Sequence, residues 1–435
     1  MAIANVGKSG VTVSAPASGS NTSAMAMVTT LFFMWGFVTC LNDIVIPHLK
    51  SIFDLNYAEA MLVQFAFFSG YFVFALPAGK IIDFIGYKRS MVVGLLTMAL
   101  GAILFIPAAS VPAFTFFLTA LIIVAAGITV LQVSANPYVS VLGPPQTASS
   151  RLNLTQAFNS LGTTIAPFFG SMLILSSVPK SEAEMRQMAP DILHAYRLHE
   201  AATVKLPYLL IALTLVVLAI VIGLYKLPVI RTIEDPSELA GGDLHNAPSI
   251  WSQRHLVLGV VGIFVYVGAE VAIGSFLVNY FTQRDIGALS EKQAAVYVSF
   301  YWGAAMVGRF IGSAVLQKLR AGNVLGIVAI VACLLVSLSM LTFGSVAMWS
   351  ILLVGLFNSV MFPSIFTLGI AGLGPLTSKG SGLLVAAIVG GAIIPVAEGL
   401  LADKIGIHHA FILPVLCYLY IAYYGFRGSK QLKAA

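Results

Sequence analysis

The chain has 435 residues, of which 59% are hydrophobic and only 9% charged, with a mean hydropathy of +0.95 and a net charge of +6. Soluble globular proteins carry about 25% charged residues, so this chain has too few solvated groups to cover its surface, and lipid must cover much of it. No polar stretch is long enough to close a separate soluble core, and the positive charge has a topological cause that needs no nucleic-acid partner.

Residues 1–25 are rich in Ser, Ala and Gly, with Lys8 the only basic residue. They lack the charged start, apolar run and cleavage site of a secretory leader, and the expectation is a disordered cytoplasmic tail. Apolar runs then follow at 26–49, 60–81, 90–109, 112–142, 152–175, 206–226, 256–282, 293–316, 323–343, 347–372, 382–402 and 409–426. Each has the roughly 20 residues that a membrane-spanning helix needs. The expected fold is therefore all-α, with twelve transmembrane helices in two six-helix bundles, 26–226 and 256–426. A cytoplasmic linker, 227–255, joins them, and a short cytoplasmic tail, 427–435, ends the chain. With the N-terminus inside, fourteen Lys and Arg fall on the inner side against eight on the outer. That bias places both termini in the cytoplasm.

The two halves repeat. Pro137 and Leu142-Gly143 align with Pro363 and Leu368-Gly369, Gly162 and Pro167 with Gly390 and Pro395, and Gly70 and Gly79 with Gly303 and Gly312. Asp43 falls opposite Glu270 at nearly the same shift. Duplicated half-units are common among transporters.

Acids and bases inside predicted spans stand out, because a charge in lipid needs a partner, a proton or a watery cavity. They are Asp43 in the first span, Glu270 in the seventh, Arg309 in the eighth and Glu398 in the eleventh. Asp43 and Glu270 are read as functional, Arg309 as structural through a loop acid. Glu398 and Asp403 are read as acids reaching the outer interface. Gln132, Gln156 and Asn159 place amides in the fourth and fifth spans. Amides donate and accept together, as sugar hydroxyls do. The apolar face of a pyranose wants an aromatic platform, and Tyr280, Tyr301, Trp302 and Phe362 are the candidates. His194 and His199 lie in the outer loop without a third ligand, which argues against a metal site. Cys40, Cys333 and Cys417 sit within apolar runs and form no disulfide framework. Without a P-loop, ATP is not the expected energy source.

Between the second and third spans, Gly79-Lys80-Ile81-Ile82-Asp83-Phe84-Ile85-Gly86-Tyr87-Lys88-Arg89 resembles the loop signature of the major facilitator superfamily. It supplies a tight turn, a close helix contact and an acid among bases, a contact that rocking halves can break. More specific matches extend over about residues 28–426. Leu41-Asn42-Asp43-Ile44, Ala135-Asn136-Pro137-Tyr138 and Arg151 through Gln156 to Asn159-Ser160 are similar to the fucose/glucose/galactose permease family, and Phe362-Pro363 supports this.

That resemblance implies a multi-pass transporter in a bacterial inner membrane, importing a hexose by alternating access with H⁺ or Na⁺. It implies cation coupling and sugar binding at Asp43. With the residue reading above, Asp43 and Glu270 are the expected cation-coupling acids, and a bound Na⁺ near either is the alternative to a proton. It also implies sugar contacts at Gln156 and Asn159. Gln132 stands where the fucose-type pattern has a glutamate, and Glu270 where it has an amide, so the chain is closer to the glucose/galactose branch. No organic cofactor is expected, and a monomer is the expected unit. Two other functions stay open: export of amphipathic compounds, and sensing without transport. A membrane enzyme lacks a catalytic cluster.

Overall fold

The computed structural model describes residues 11–13, 19–53, 57–110, 114–173, 187–203, 205–228, 230–232 and 249–430. Ten helices among them are long and apolar enough to cross a membrane. One of these, within Tyr57–Ser110, is interrupted at Gly86, whose φ of 79° and ψ of 166° are not helical. Gly70 and Gly101, about equally far on either side of Gly86, both pack on residues 124–125 of the next helix. The chain therefore folds back at Gly86, as its left-handed backbone allows. The two arms are α2 (57–85) and α3 (87–110).

The remaining spans are α1 (Gly19–Phe53), α4 (Phe114–Val141), α5 (Ala148–Leu173), α6 (Lys205–Leu224), α7 (Arg254–Phe281), α8 (Glu291–Lys318) and α9 (Ala321–Leu341). They are completed by α10 (Gly344–Ile370), α11 (Gly374–Ile405) and α12 (Ile407–Gly428). The ten apolar helices, one of them divided at Gly86, make eleven spans, and the 26-residue α5, which is not among the ten, is the twelfth of these helices among the described residues.

The core is apolar, as in a soluble protein, but much of the surface is apolar too. On α9, Ile327, Ile330, Leu334, Leu338 and Leu341 are exposed at helical spacing, the stripe a helix turns toward hydrocarbon. Asn136, Asn153, Thr155, Asn358 and Ser364 are instead buried. The repeat has a physical basis at Gly162 and Gly390. A Cβ at Gly162 would clash with the Phe33 carbonyl of α1, and one at Gly390 with the Phe264 carbonyl of α7. Each half brings its first and fifth helices into backbone contact at this point, which only glycine permits.

Two differences from expectation arise outside the spans. Within the N-terminal segment expected to be disordered, β1 (Val11–Val13) pairs antiparallel with β2 (Ile230–Thr232) of the linker. Three backbone pairs suffice there, because Val, Ile and Thr suit extended backbone. Between α5 and α6 a helix, Pro190–Thr203, forms with Asp191 in its first turn, an acid favourable to the helix dipole. The side chains of His194 and His199 lie outside the described residues.

Candidate functional site

In the N-terminal half, the polar side chains come from one face each of α4 and α5. Gln132 and Asn136 are one turn apart on α4 and buried. Gln132 Nε2 donates to Tyr71 Oη of α2 at 3.1 Å, while its Oε1 has no hydrogen-bond partner in the protein. Neither amide atom of Asn136 has one. On α5, Asn153, Gln156 and Ser160 recur at three- and four-residue spacing toward α8. Gln156 Nε2 is buried without a partner. Asn159 turns to α1 and donates from Nδ2 to the Phe32 carbonyl at 2.9 Å. Unmade hydrogen bonds of buried amides are unfavourable unless water or a ligand completes them. Gln132, Asn136 and Gln156 therefore keep hydrogen-bonding capacity that the protein does not use, and Asn159 is half committed to holding α1.

In the C-terminal half, a residue that the sequence did not single out organises the site. Asn358 of α10 donates from Nδ2 to Tyr301 Oη at 2.8 Å and accepts at Oδ1 from Tyr418 Oη of α12 at 2.8 Å. Its carbonyl accepts from Tyr266 Oη of α7 at 3.1 Å. Tyr301 Oη reaches the Glu270 carbonyl at 3.5 Å. Four helices are thereby tied around Glu270, whose Oε1 is shut off from solvent without a partner. Arg309 lies within electrostatic range of Glu270 but is engaged elsewhere. Sequence spacing hides Asn358, because a single amide near a helix break resembles an ordinary cap.

The aromatic candidates separate. Trp302 is 45% exposed. A side chain at Gly274, one turn from Glu270 on α7, would meet its ring at 3.0 Å. Tyr301, its edge-on neighbour at 5.1 Å, is fully buried and acts through its hydroxyl. Phe362 is partly buried and stacks on Phe366 at 6.0 Å. Tyr280 is not a platform. It is fully buried, hydrogen-bonded to Ser339 Oγ and His408 Nδ1 at 3.0 Å each, and edge-on to Phe411 at 5.0 Å. Ten residues from Glu270, it lies about 15 Å along the helix.

Two further expectations are corrected. Arg309 pairs with no loop acid among the described residues. Its Nη1 donates to Ser160 Oγ and, at 3.3 Å, to the Gln156 carbonyl, so it joins α8 to α5 across the halves. Glu398 does not reach an interface, being fully buried with neither carboxyl oxygen partnered. The stripe Gly391, Ile394, Glu398 continues the packed face of α11, which is the signal that marks it. Asp43 belongs to α1, but its side chain lies outside the described residues.

At the turn after α2, Asp83 accepts from Ser378 Oγ of α11. A Cβ at Gly79 would meet the Ser378 carbonyl at 3.2 Å. Lys88 Nζ caps the α6 carbonyl end at Gly223, 2.8 Å, and Arg89 is exposed. The partner seam, α5 against α8, joins Ser150 Oγ to the Ser313 carbonyl at 2.6 Å and Asn153 Nδ2 to the Arg309 carbonyl at 2.7 Å. Ser381 Oγ reaches the Val133 carbonyl at 2.9 Å. Described hydrogen bonds between the halves crowd toward this end. The farthest from it runs from Thr164 Oγ1 to Met306 Sδ at 3.5 Å. Arg151 rigidifies the same end, donating to the carbonyls of Val139, Ser140, Gly143 and Pro144.

A family model described as Major Facilitator Superfamily matches residues 22–387. A glucose/galactose transporter of Brucella abortus is 53% identical over 408 residues, covering 94% of each chain. The L-fucose-proton symporter of Escherichia coli is 36% identical over 398 residues, covering 91% of each. A crystal structure of FucP in the outward conformation matches with a TM-score of 0.87 at 35% identity, over 95% of this chain and 100% of that one. The proton:xylose symporter XylE, at 13% identity and a TM-score of 0.71, shares the fold.

Proposed function

The chain belongs to the major facilitator superfamily, and we propose that it imports glucose or galactose across a bacterial inner membrane by cation symport. The observation that carries this is the set of buried polar atoms left without protein partners. Among them are Gln132 Oε1, both amide atoms of Asn136 and Gln156 Nε2 on one side and Glu270 Oε1 on the other. Amides that both donate and accept suit hydroxyls, and Trp302 offers a half-exposed ring for the sugar's apolar face. The Brucella relative's name supports the choice of hexose.

The end carrying the 79–89 turn is cytoplasmic by the basic-residue bias, with both termini on that side and a monomer as the working unit. The state seen is then closed inward, in keeping with the outward conformation of FucP. A cation arriving from outside neutralises Asp43 or Glu270, which lowers the penalty of closing the cavity around a carboxylate. Sugar bridges the halves, and their rocking breaks the Asp83–Ser378 and Ser150–Ser313 contacts. Either a proton or Na⁺ serves. A proton needs one carboxyl, whereas Na⁺ needs several oxygens.

Uptake of radiolabelled glucose, galactose and fucose into proteoliposomes, under separately imposed Na⁺ and pH gradients, tests the reading. Concentrative uptake of a hexose under one gradient is expected. Absence of hexose uptake and of counterflow under both would overturn it.

A further inference from the structure

Glu398 is the one buried acid that neither the amide site nor the inner seam uses among the described residues. Its carboxyl is fully buried and both oxygens accept no hydrogen bond from the protein. An ionised carboxylate so placed is strongly disfavoured, and its charge must be cancelled by something the polypeptide does not supply.

The surrounding elements bear this out. From α7 come Glu270 and Tyr266, from α8 Tyr301 and Arg309, and from α12 Cys417 and Tyr418. Tyr301 and Cys417 lie within electrostatic range of Glu398. The one cation among these groups, Arg309, donates to Ser160 and Gln156 of α5 instead. From α2 the facing group is Phe68, against Gly391. In the first turn of α12, His408 Nδ1 is hydrogen-bonded to Tyr280, and His409 is exposed. Sodium would need several oxygens, and the titratable groups in range are a phenol and a thiol. A proton needs a single oxygen.

The position of Glu398 links it to the motion. The inner end of α11 carries Ser378, Ser381 and Gly382, all at the closed seam, and Gly391 meets α2 two turns before Glu398. When the halves rock, α11 moves against α2 and the surroundings of Glu398 change. We propose that Glu398 is a proton-binding site of the transport cycle. It holds a proton taken from the outer aqueous phase in the state seen and returns it to water once the inner end opens. The proposal rests on the symport reading above.

The test is proton and sugar flux in proteoliposomes loaded with a pH-sensitive dye, comparing wild type with Glu398→Gln and Glu398→Asp. Wild type is expected to take up protons with hexose. Glu398→Gln, close in shape and unable to titrate, should lose concentrative uptake at least tenfold and lose the pH dependence of hexose affinity, while hexose exchange continues. Glu398→Asp, which restores the carboxyl in a shorter reach, should recover proton-coupled uptake with a displaced pH profile. Wild-type hexose flux with unchanged proton uptake and pH profile in Glu398→Gln would overturn this proposal alone. So would Na⁺-driven uptake without proton movement in wild type. If Glu398→Gln fails to fold, an Asp variant with the wild-type pH profile would overturn it too. Absence of any hexose flux in wild type would overturn the symport reading, and this proposal with it.

Discussion

Arg309 of α8 donates through Nη1 to Ser160 Oγ of α5, and this contact joins the two halves beside the unpartnered amide of Gln156. Arg309 also donates to the Gln156 carbonyl at 3.3 Å. The guanidinium thus holds the backbone of a proposed sugar ligand while standing within electrostatic range of Glu270. A hydrogen bond made by a charged donor contributes about 1.5–3 kcal/mol, roughly twice a neutral one. The Arg309 contacts therefore bear more of the closed state than any single serine pair at the seam.

Ser160→Ala removes one of these bonds and leaves the other. The state closed at this seam should weaken by about 1.5–3 kcal/mol, raising the population open at the seam by about 10- to 150-fold. Hydrogen–deuterium exchange of the 142–150 and 371–379 segments should rise accordingly. Unchanged exchange there would mean that the pair does not hold the seam.

The amides should part in two ways. Gln132→Ala and Gln156→Ala remove groups with unsatisfied atoms, so hexose binding by calorimetry should weaken by about 1–3 kcal/mol with little change in Tm. Asn159→Ala also removes the bond to the Phe32 carbonyl, so it should lower Tm as well as affinity. Equal affinities for wild type and both Gln variants would remove them from the site.

Spacing made the framework legible. Gly162 and Gly390 stand in register because each lies where two helix backbones touch, and Asp83 with Gly86 marks a turn whose geometry allows few substitutes. The polar hub was less legible. Tyr266, Tyr301 and Tyr418 are three of 15 tyrosines, and only three-dimensional packing brings them to Asn358. Tyr280 and Glu398 were misjudged for a related reason. Depth along a helix follows from residue number, but the direction a side chain faces depends on which neighbour packs there.

Asp83 and Ser378 should be coupled. Asp83 is exposed, so solvent screens its charge and the bond is worth less than a buried one. A double-mutant cycle of Asp83→Ala and Ser378→Ala should show a coupling of about 0.5–1 kcal/mol in the exchange protection of the 371–379 segment. Additive effects would show that the contact carries nothing.

Coupling puts the strongest demand on the acids of the first helix in each half. Gln132 cannot titrate, so α4 brings no acid to the site at that position, and in the symport reading proposed above the task falls to Asp43 and Glu270 together with the proton site proposed at Glu398. Asp43 on α1 and Glu270 on α7 occupy matching places in the repeat, so a cation at either biases the same rocking motion. Net accumulation requires the cation to cross with sugar, whereas exchange of labelled for unlabelled sugar returns the same loaded carrier and needs no net cation movement. Asp43→Asn should therefore lose gradient-driven uptake and keep measurable counterflow. Glu270→Gln should show the same pattern if Na⁺ is the ion, because removing one carboxylate strips a ligand that sodium needs. If a proton on Asp43 suffices, Glu270→Gln should show a milder loss, with concentrative uptake reduced but present. Paired measurements of accumulation and counterflow, under Na⁺ and pH gradients in turn, separate these outcomes. Full concentrative uptake by the Asp43→Asn protein under either gradient would show that coupling does not run through α1.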